Sequence, residues 1–317
     1  MCTHNRSAML AGALQSMSAL ELPGTLDWEI LVVDNNCSDD TEAVVASFIG
    51  RLPVRRCTEP RPGLSHARNR AAAEAVGDWI LWTDDDVLVD PGWLASYVEA
   101  MTRHPGAAVC GGPIEPVFAE PVPGWLREGW RSVGSAFALR DLGGEEFALD
   151  EELCPYGANY AIRRDVQHTH PYDPALGRAP GRMTGGEEVA VIRAVLRAGG
   201  SGWWVPRARV RHVIPRDRQT IRYLRRFFVA QGDVVAAQLL AGAGPRPPRM
   251  LLGRPMRWVW RWLRLEARYR ALRLTVPPSV WLHALAHCSC VWGQLRSFPA
   301  VVPGGAAAGG DARPQVR

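Results

Sequence analysis

The sequence predicts an α/β protein in which a mixed, mainly parallel sheet is flanked by helices. Over the first 110 residues, short apolar runs typical of buried strands alternate with helical patterns. Two of these runs, residues 28–33 and 79–83, end directly in aspartates. Strands that alternate with helices usually pair in parallel, because each crossover helix packs on a face of the sheet. Ligands of such sheets bind beyond the carboxyl ends of the strands, where these aspartates lie.

The elements of this first part follow in a regular order. In the sequence they are a helix at 10–20, a strand at 28–33, a helix at 38–48, a strand at 54–57, a helix at 65–75, a strand at 79–83 and a helix from 91. Ser65 is predicted to cap its helix, and Pro91 suits a first helical turn. The segment Met1-Cys2-Thr3 resembles the end of a strand whose earlier part is missing. Either the true start of translation lies further upstream, which we favour, or the sheet lacks a strand's length.

The second part of the chain is less regular. Pro and Gly interrupt residues 111–150, and the later predicted elements are a helix at 187–196, a strand at 203–205 and helices at 218–240 and 249–273. We therefore predict an α/β domain over residues 1–235, a basic amphipathic helical tail over 236–300 and a disordered Gly/Ala/Pro segment over 301–317.

Charge is distributed unevenly along the chain. Residues 1–202 carry 17 Arg against 28 acidic residues, a balance of −11, and residues 203–317 carry 20 Arg against 4, a balance of +16. The chain contains no lysine, which excludes a Walker A nucleotide site and Schiff-base chemistry. Seven cysteines without a CxxC pair fit free thiols in a reducing compartment. The longest uncharged run, 274–295, contains two prolines and two histidines and is not expected to span a membrane.

Three adjacent carboxylates, Asp84, Asp85 and Asp86, follow the strand at 79–83. Like charges in a row repel one another, and a divalent cation such as Mg²⁺ or Mn²⁺ would make the arrangement favourable. Mg²⁺ is commonly bound by one or two carboxylates together with substrate phosphates. A solvated acidic loop is the alternative for these residues alone.

Five segments, in order, resemble the motifs of family 2 glycosyltransferases, which have the GT-A fold. They are Thr3-His4-Asn5-Arg6, the stretch Val33 to Thr41 (VDNNCSDDT), the stretch Arg61 to Asn69 (RPGLSHARN), the acidic triplet and Gly186-Glu187-Glu188. The resemblance covers about residues 2–230. It implies a metal-dependent, inverting transfer of a sugar from a nucleotide-diphosphate donor, with UDP expected, to a hydroxyl acceptor in glycan or glycolipid synthesis.

The resemblance also implies roles for individual residues. The donor-binding set is Thr3, Asn5, Arg6, Asp34, Asn36, Gly63, Arg68, Asp84 and Asp85. The set implied for the Mg²⁺ or Mn²⁺ ion is Asp86, Asp84 and His212. Glu188 is ranked first as the catalytic base and Glu187 second, although the family usually has Asp at the position of Glu188. The segment Gly157-Ala158-Asn159 is a candidate to line the acceptor or sugar pocket, and backbone turn chemistry is the alternative for Gly157 and Asn159.

Structural alternatives exist for several of these residues. Asp34 would also suit a helix cap, and Arg68 a salt bridge that positions the acidic loop. Glu187 and Glu188 would also stabilise a helix N-terminus through its dipole, and His212 would also suit a structural role. At the level of the whole protein, the alternatives are a nucleotidyltransferase of similar fold and a catalytically inactive relic that docks on membranes.

The C-terminal part combines arginine with tryptophan, notably over residues 254–273. Tryptophan at headgroup level and arginine at anionic phosphate favour an anionic membrane surface as partner. Ordinary helix packing with a solvated charged face is the alternative. Nucleic acid is not expected, because no nucleic-acid-binding motif accompanies the arginines. The sequence thus predicts a cytoplasmic enzyme at the inner face of the plasma membrane.

Overall fold

The computed structural model describes residues 1–22, 24, 26–179, 185–241, 250–251 and 254–297. Its strands are β1 Cys2–Thr3, β2 Ile30–Asp34, β3 Val54–Thr58, β4 Trp79–Trp82, β5 Val87–Val89, β6 Ala107–Gly111, β7 Ile114–Phe118, β8 Phe147–Ala148, β9 Tyr160–Arg163, β10 Ser201–Trp204, β11 Val210–Ile214, β12 Met250–Leu251 and β13 Arg254–Pro255. Its helices are α1 Ser7–Met17, α2 Thr41–Phe48, α3 Leu64–Glu74, α4 Trp93–Arg103, α5 Gly124–Gly129, α6 Arg164–Thr169, α7 Glu187–Arg197, α8 Ile221–Ala241, α9 Met256–Thr275 and α10 Pro278–Ser297. The predicted disordered segment 301–317 lies outside the described residues.

The first three strands form a parallel sheet in the order β1-β2-β3. Thr3 pairs with Asp34, and Asp34 pairs with Thr58, so the three strands end at the same edge. All five residues of β2 are buried. This burial on both faces explains why the sequence of β2 is a continuous apolar run rather than an alternating one.

The remaining main strands form mixed sheets. One has the order β4-β9-β6-β10-β8, in which β9 runs antiparallel to both β4 and β6 while β10 runs parallel to β6. The other has the order β5-β11-β7. The sheet is mixed because β9 returns from the irregular region after β7 and inserts between two strands that are earlier in the chain.

Two hydrophobic clusters cover the two faces of β2. Ile30 and Val32 belong to a cluster that includes Leu10 and Leu14 of α1 and Tyr97 of α4. The alternate residues, Leu31 and Val33, belong to a cluster with residues of α3 and α7. The alternation follows from the strand geometry, in which successive side chains point to opposite faces. The helices thus fix the orientation of the strand ends that carry the aspartates.

The C-terminal helices share a third hydrophobic cluster with the middle of the chain. Leu126 of α5 and Phe137 of the 3₁₀ segment Trp130–Phe137 lie in one cluster with Leu224 of α8, Tyr269 of α9 and Leu285 of α10. The predicted division at residue 235 stays a prediction, but these helices are packed on the α/β part rather than extended from it. Within the described ranges, every helix is too short or too polar to cross a bilayer.

The start of α3 differs from the expectation. Ser65 does not cap this helix: the cap position is Gly63, and the Ser65 hydroxyl donates to the Leu176 carbonyl at 2.9 Å. Ser65 lies one residue inside the helix that it was predicted to open. Its hydroxyl connects α3 to a distant loop instead.

Candidate functional site

The predicted aspartates converge at one edge of the fold. Thr3 and Asp34 are register partners at the ends of β1 and β2. The Thr3 hydroxyl donates to Asp85 Oδ2 at 2.7 Å, which connects this edge to the turn after β4. We call residues Asp84–Asp86 the acidic turn. The ends of β1, β2 and β4 therefore lie together at one site.

Each carboxylate of the acidic turn has its own partners. Arg6 Nη1 donates to Asp85 Oδ1 at 2.8 Å and to Asp86 Oδ2 at 2.9 Å. Arg218 Nη1 lies 3.2 Å from Asp86 Oδ2, and His212 Nε2 lies 3.4 Å from Asp86 Oδ1. The repulsion among the three charges is thus offset by the arginines of two separate segments of the chain, with His212 beside them.

The two buried aspartates differ in their pKa values. Burial raises the pKa of Asp85 to about 6, assisted by the neighbouring Asp86 and opposed by Arg6. Burial acts in the same direction on Asp86, but His212, Arg218 and Arg6 together hold its pKa well below the usual range. Asp86 therefore stays ionised at neutral pH, which a metal ligand requires.

Arg68 lies between the acidic turn and helix α7. It is buried, with its guanidinium 5.5 Å from the ring centres of both Trp82 and Tyr172. Its Nη2 is 3.5 Å from Asp84 Oδ1, and its Nε is 3.8 Å from Glu187 Oε1. Its Nη1 is buried and has no hydrogen-bond acceptor among the described residues. This atom is an unused donor inside a charged site.

The N-terminus of α7 brings the two candidate bases to the same place. Glu187 is buried, whereas Glu188 is partly exposed. Burial and the adjacent Glu188 raise the pKa of Glu187 to about 7, against the lowering effect of Arg68. Glu188 Oε1 accepts a hydrogen bond from the Gly157 amide at 3.2 Å. Glu188 therefore has the more accessible carboxylate of the two.

Gly157 occupies a position where only glycine fits. A Cβ there would lie 2.6 Å from Arg68 Nη2 and 3.1 Å from Glu188 Cδ. The Gly157 carbonyl also accepts from Arg68 Nη2 at 3.4 Å. The backbone of Gly157 thus joins the arginine to the glutamate. Asn159 does not line a pocket as expected: it is fully buried, and its side chain bonds to Trp93, Tyr97, Pro113 and Ala208.

At the end of β2, Asp34 is held by two donors. The Cys37 amide donates to Asp34 Oδ1 at 2.8 Å, and Arg56 Nη1 donates to Asp34 Oδ2 at 2.9 Å. Asp34 is the last residue of β2, and its side chain stabilises the turn that follows. It does not cap a helix, because α2 begins at Thr41 and its cap position is Asp40. A carboxylate accepts several hydrogen bonds, and its remaining lone pairs are compatible with a ligand N–H or hydroxyl.

Asn5 and Asn36 shape the loops around Asp34. Both have positive φ, at 52° and 62°, a conformation that asparagine tolerates better than most residues. Asn5 Oδ1 accepts from the Ser38 amide at 2.7 Å, and Asn36 Nδ2 donates to the Pro60 carbonyl at 2.8 Å. In this structure both side chains fasten neighbouring loops together.

Gly63 is the N-terminal cap residue of α3. Its φ of 129° is strained for any residue with a side chain. Its amide donates to Asn35 Oδ1 at 2.9 Å, and Asn35 Nδ2 donates to the carbonyls of Glu59 and Arg61. Asn35 is not among the site residues predicted from the sequence. Its position beside Asp34 at a strand end was the available signal.

His212 is oriented for a role at Asp86. Its Nδ1 donates to the Phe137 carbonyl at 2.8 Å, which leaves Nε2 facing Asp86 Oδ1 at 3.4 Å. Metal-ligating histidines are commonly oriented by such a hydrogen bond from the other ring nitrogen. Arg218 Nη1 lies next to this ring, 3.4 Å from His212 Nε2. Arg218 was not predicted, because an isolated arginine in a chain with 37 of them carries no sequence signal.

The residues present fit a divalent ion only in part. Among the described residues, no group of three or more His, Cys, Asp or Glu side chains is close enough to hold a metal by itself. Asp86 and His212 provide a carboxylate oxygen and an imidazole nitrogen side by side, whereas Asp84 contacts Arg68 on the other side of the turn. One or two protein ligands completed by substrate phosphates is a normal arrangement for Mg²⁺.

A family model and several known proteins match the sequence of this chain. The family model described as "Glycosyl transferase family 2" matches residues 1–165, more than half of the chain. The succinoglycan biosynthesis protein ExoM of Rhizobium meliloti is 28% identical over 233 residues, which are 72% of this chain and 70% of that protein. A glucosyl-dolichyl phosphate glucuronosyltransferase of Haloferax volcanii is 27% identical over 187 residues, 58% of each chain.

Solved structures share the fold at low sequence identity. The mannosyltransferase PcManGT of Pyrobaculum calidifontis, in complex with GDP-Man and Mn²⁺, has a TM-score of 0.53 and 18% identity, with 92% of this chain and 84% of that chain covered. TarS 1-349 of S. aureus, in complex with UDP-GlcNAc, has a TM-score of 0.52 and 14% identity, with 92% and 87% covered. The predicted fold class is confirmed, with the C-terminal helices as an extension of the GT-A fold. Because the family model spans more than half of the sequence, the chain belongs to glycosyl transferase family 2 and is a glycosyltransferase.

Proposed function

We propose that this glycosyltransferase is metal-dependent and inverting, and that it moves a sugar from a nucleoside-diphosphate donor, UDP-linked in the first instance, to a hydroxyl group. The observation that carries the proposal is the buried Arg68 between Asp84 and Glu187, with Nη1 unpaired among the described residues. A buried N–H without an acceptor is costly, and an anionic oxygen of a bound donor would remove that cost.

The donor is proposed to lie across the strand ends. Asp34 would accept from the base or ribose, and Thr3, Asn5, Asn36 and Gly63 shape the pocket around it. Uridine is the proposed nucleoside because the ring N–H of its base can donate a hydrogen bond to a carboxylate. Arg6 and Arg218, now on Asp86, are within reach of a diphosphate placed over the acidic turn.

Asp86 and His212 would hold the divalent ion, and Asp84 and Asp85 border its position. When bound, such an ion neutralises the negative charge that develops on the departing diphosphate. The arginines that now contact Asp86 would then be free to contact phosphate oxygens. Because these arginines would exchange a carboxylate for a phosphate, their charge would be balanced both with and without the donor.

Glu188 is proposed as the base that takes the proton from the acceptor hydroxyl. It is the more accessible of the two glutamates, and its position is fixed by the Gly157 amide. Glu187 is proposed to hold Arg68 in place through the 3.8 Å contact. A single base acting on the acceptor, with no second carboxylate acting as nucleophile, corresponds to inversion at the sugar carbon.

The acceptor is proposed to be a glycan or a lipid-linked glycan. The names of both curated relatives refer to polysaccharide synthesis or to a dolichyl phosphate-linked substrate. On α9, the apolar side chains Trp260, Leu263 and Leu274 are exposed, and the neighbouring arginines Arg257, Arg261, Arg264 and Arg268 are exposed as well. Such a face suits the anionic inner leaflet of a plasma membrane, which is the proposed cellular location.

Metal-dependent donor binding is tested by thermal shift with UDP, GDP and dTDP, each with Mn²⁺, Mg²⁺ or EDTA. One diphosphate at 100 times its dissociation constant, with metal, should stabilise the chain by about 2.7 kcal/mol. Asp86→Asn should abolish the metal-dependent part, because it removes the ionised ligand. Asp90→Asn, which changes an aspartate outside the acidic turn, is the matched control. Equal stabilisation of the Asp86→Asn variant in metal and in EDTA would refute the metal assignment.

The base assignment is tested by steady-state kinetics of Glu188→Gln. Loss of general-base catalysis should lower kcat about 10²–10⁴-fold while the dissociation constant of the diphosphate stays unchanged, since the amide can still accept from Gly157. Glu188→Asp should keep more activity than Glu188→Gln. A kcat within threefold of the wild-type value for Glu188→Gln would show that another group takes the proton.

The raised pKa of Glu187 predicts a pH-dependent stability difference. Because the folded-state pKa of about 7 lies above the ordinary 4.5, the stability contributed by the neutral form is present at low pH and is lost as pH rises toward 7. Denaturant unfolding of Glu187→Gln should therefore show a gain relative to wild type that grows between pH 5 and pH 7 and then levels off. A difference that is constant over this range would contradict the burial effect.

Membrane association is tested by flotation with phosphatidylglycerol vesicles and with neutral vesicles. The wild-type chain should float with the anionic vesicles, and the double variant Trp260→Ser/Leu263→Ser should lose most of that fraction because it removes the exposed apolar groups of α9. Ile49→Ser/Val76→Ser removes exposed apolar groups elsewhere on the surface and serves as the matched control. Equal flotation of both variants would exclude α9 as the membrane surface.

A further inference from the structure

The polar contacts of the buried Arg68 guanidinium are long among the described residues. They measure 3.4 Å from Nη2 to the Gly157 carbonyl, 3.5 Å from Nη2 to Asp84 Oδ1 and 3.8 Å from Nε to Glu187 Oε1. Hydrogen bonds between charged groups that fix a guanidinium are about 2.7–2.9 Å long. These polar partners are therefore too distant to determine the orientation of the guanidinium.

Two aromatic rings lie at cation–π distance from the same guanidinium. The ring centres of Trp82 and Tyr172 are each 5.5 Å from Arg68 Cζ, within the roughly 6 Å over which the attraction is significant. The two rings are nearly perpendicular, at 88°, and their centres are 5.5 Å apart. Because both rings and the cation are buried, the attraction is not weakened by water. The two rings are therefore the contacts that set the orientation of Arg68.

A single buried amide connects the two rings. Gln167 Oε1 accepts a hydrogen bond from the Tyr172 hydroxyl at 2.9 Å and another from Trp82 Nε1 at 3.3 Å. The Gln167 amide nitrogen donates to the His170 carbonyl at 2.8 Å, so the oxygen is the end that faces the rings. The Tyr160 hydroxyl is also hydrogen-bonded to the Tyr172 hydroxyl. Hydrogen bonds as well as packing thus fix the position of each ring.

The backbone of Tyr172 is attached to the helix that carries Arg68. Asn69 is the next residue of α3. Its Nδ2 donates to the Tyr172 carbonyl and its Oδ1 accepts from the Tyr172 amide, both at 2.8 Å. The arginine and a ring that lies 103 positions away from its neighbour are therefore held in one arrangement by the same helix.

We propose that Tyr172 is a positioning residue for donor binding, because its ring orients Arg68 so that the buried Nη1 can meet the diphosphate. Asn69 and Gln167 hold that ring in place. This inference rests on the proposed function, in which Arg68 meets an anionic oxygen of the donor. A hydrophobic cluster would fill the same volume without the cost of burying an amide, two hydroxyls and a guanidinium. The polar groups contribute a fixed orientation of the ring and the cation.

The test compares nucleoside diphosphates with their nucleosides, because Arg68 is proposed to contact only the anionic part. Titration in Mn²⁺ uses the pairs UDP and uridine, GDP and guanosine, and dTDP and thymidine, and the pair that binds is measured with each variant. Arg68→Met should weaken the diphosphate about tenfold or more, since it removes a hydrogen bond between charged groups, and the nucleoside by less than about twofold. Tyr172→Leu should weaken the diphosphate about fivefold or more, with the same small effect on the nucleoside. Tyr172→Phe keeps the ring and should limit the loss to about threefold.

A double-variant cycle tests whether Tyr172 acts through Arg68. The variant Arg68→Met/Tyr172→Leu should bind the diphosphate within about twofold of Arg68→Met alone, because the ring then has no cation to orient. Asn69→Ala leaves the ring intact but releases its backbone, and should weaken the diphosphate about threefold or more. Tyr97→Leu is the matched control and should leave diphosphate binding unchanged. Tyr97 is also a fully buried tyrosine whose hydroxyl bonds to a side-chain amide, that of Asn159.

Two results would overturn the proposal and leave the proposed function intact. Equal losses for the diphosphate and the nucleoside in Tyr172→Leu would show a general disturbance of the site. Additive losses in the double variant would show that Tyr172 acts independently of Arg68. If Arg68→Met binds the diphosphate as the wild-type chain does, or if none of the three diphosphates binds the wild-type chain, the proposed function fails together with this inference.

Discussion

The three aspartates after β4 can lie side by side because other segments of the chain place counter-charges and a hydroxyl beside them. Arg6 comes from the start of α1, His212 from β11, Arg218 from the 3₁₀ turn that follows, and Thr3 from β1. Each of these contacts joins segments that are distant in the chain. The constraint of balancing buried negative charge therefore determines which loops meet at the site, and most other contacts serve to hold those loops in position.

Burying this many charged groups contributes little to the stability of the fold. Desolvation of an ion pair commonly costs about as much as the attraction between the ions returns, so a hydrophobic site of equal size would fold as well or better. Arg68 illustrates the point, since it is buried against Trp82 and Tyr172 while one of its donors lacks an acceptor among the described residues. An anionic oxygen of the proposed donor would supply that acceptor and offset the cost of burying the arginine. The raised pKa of Glu187 has the same origin, a carboxylate taken from water beside Glu188.

Much of the fold and part of the site could be predicted from the sequence, because the signals are local. The buried run before Asp34, the acidic turn after β4 and the glutamates at the start of α7 lie in short segments whose periodicity or capping is visible in the chain. Arg218, Asn35 and the burial of Asn159 could not be predicted in this way, since their roles depend on partners 24 to 132 positions away. The packing of α8, α9 and α10 on residues 126–137 is a tertiary property for the same reason.

The central claim is that the acidic turn receives a nucleoside diphosphate together with a divalent ion. Electron paramagnetic resonance of Mn²⁺ tests this directly, because the free aqueous ion and the protein-bound ion give distinguishable signals. With UDP, GDP or dTDP present in turn, one nucleotide should convert about one Mn²⁺ per chain to the bound form, since Asp86 and His212 offer two ligands and the diphosphate completes the set. If the free Mn²⁺ signal is the same with and without the protein for every nucleotide, the account of the acidic turn is contradicted.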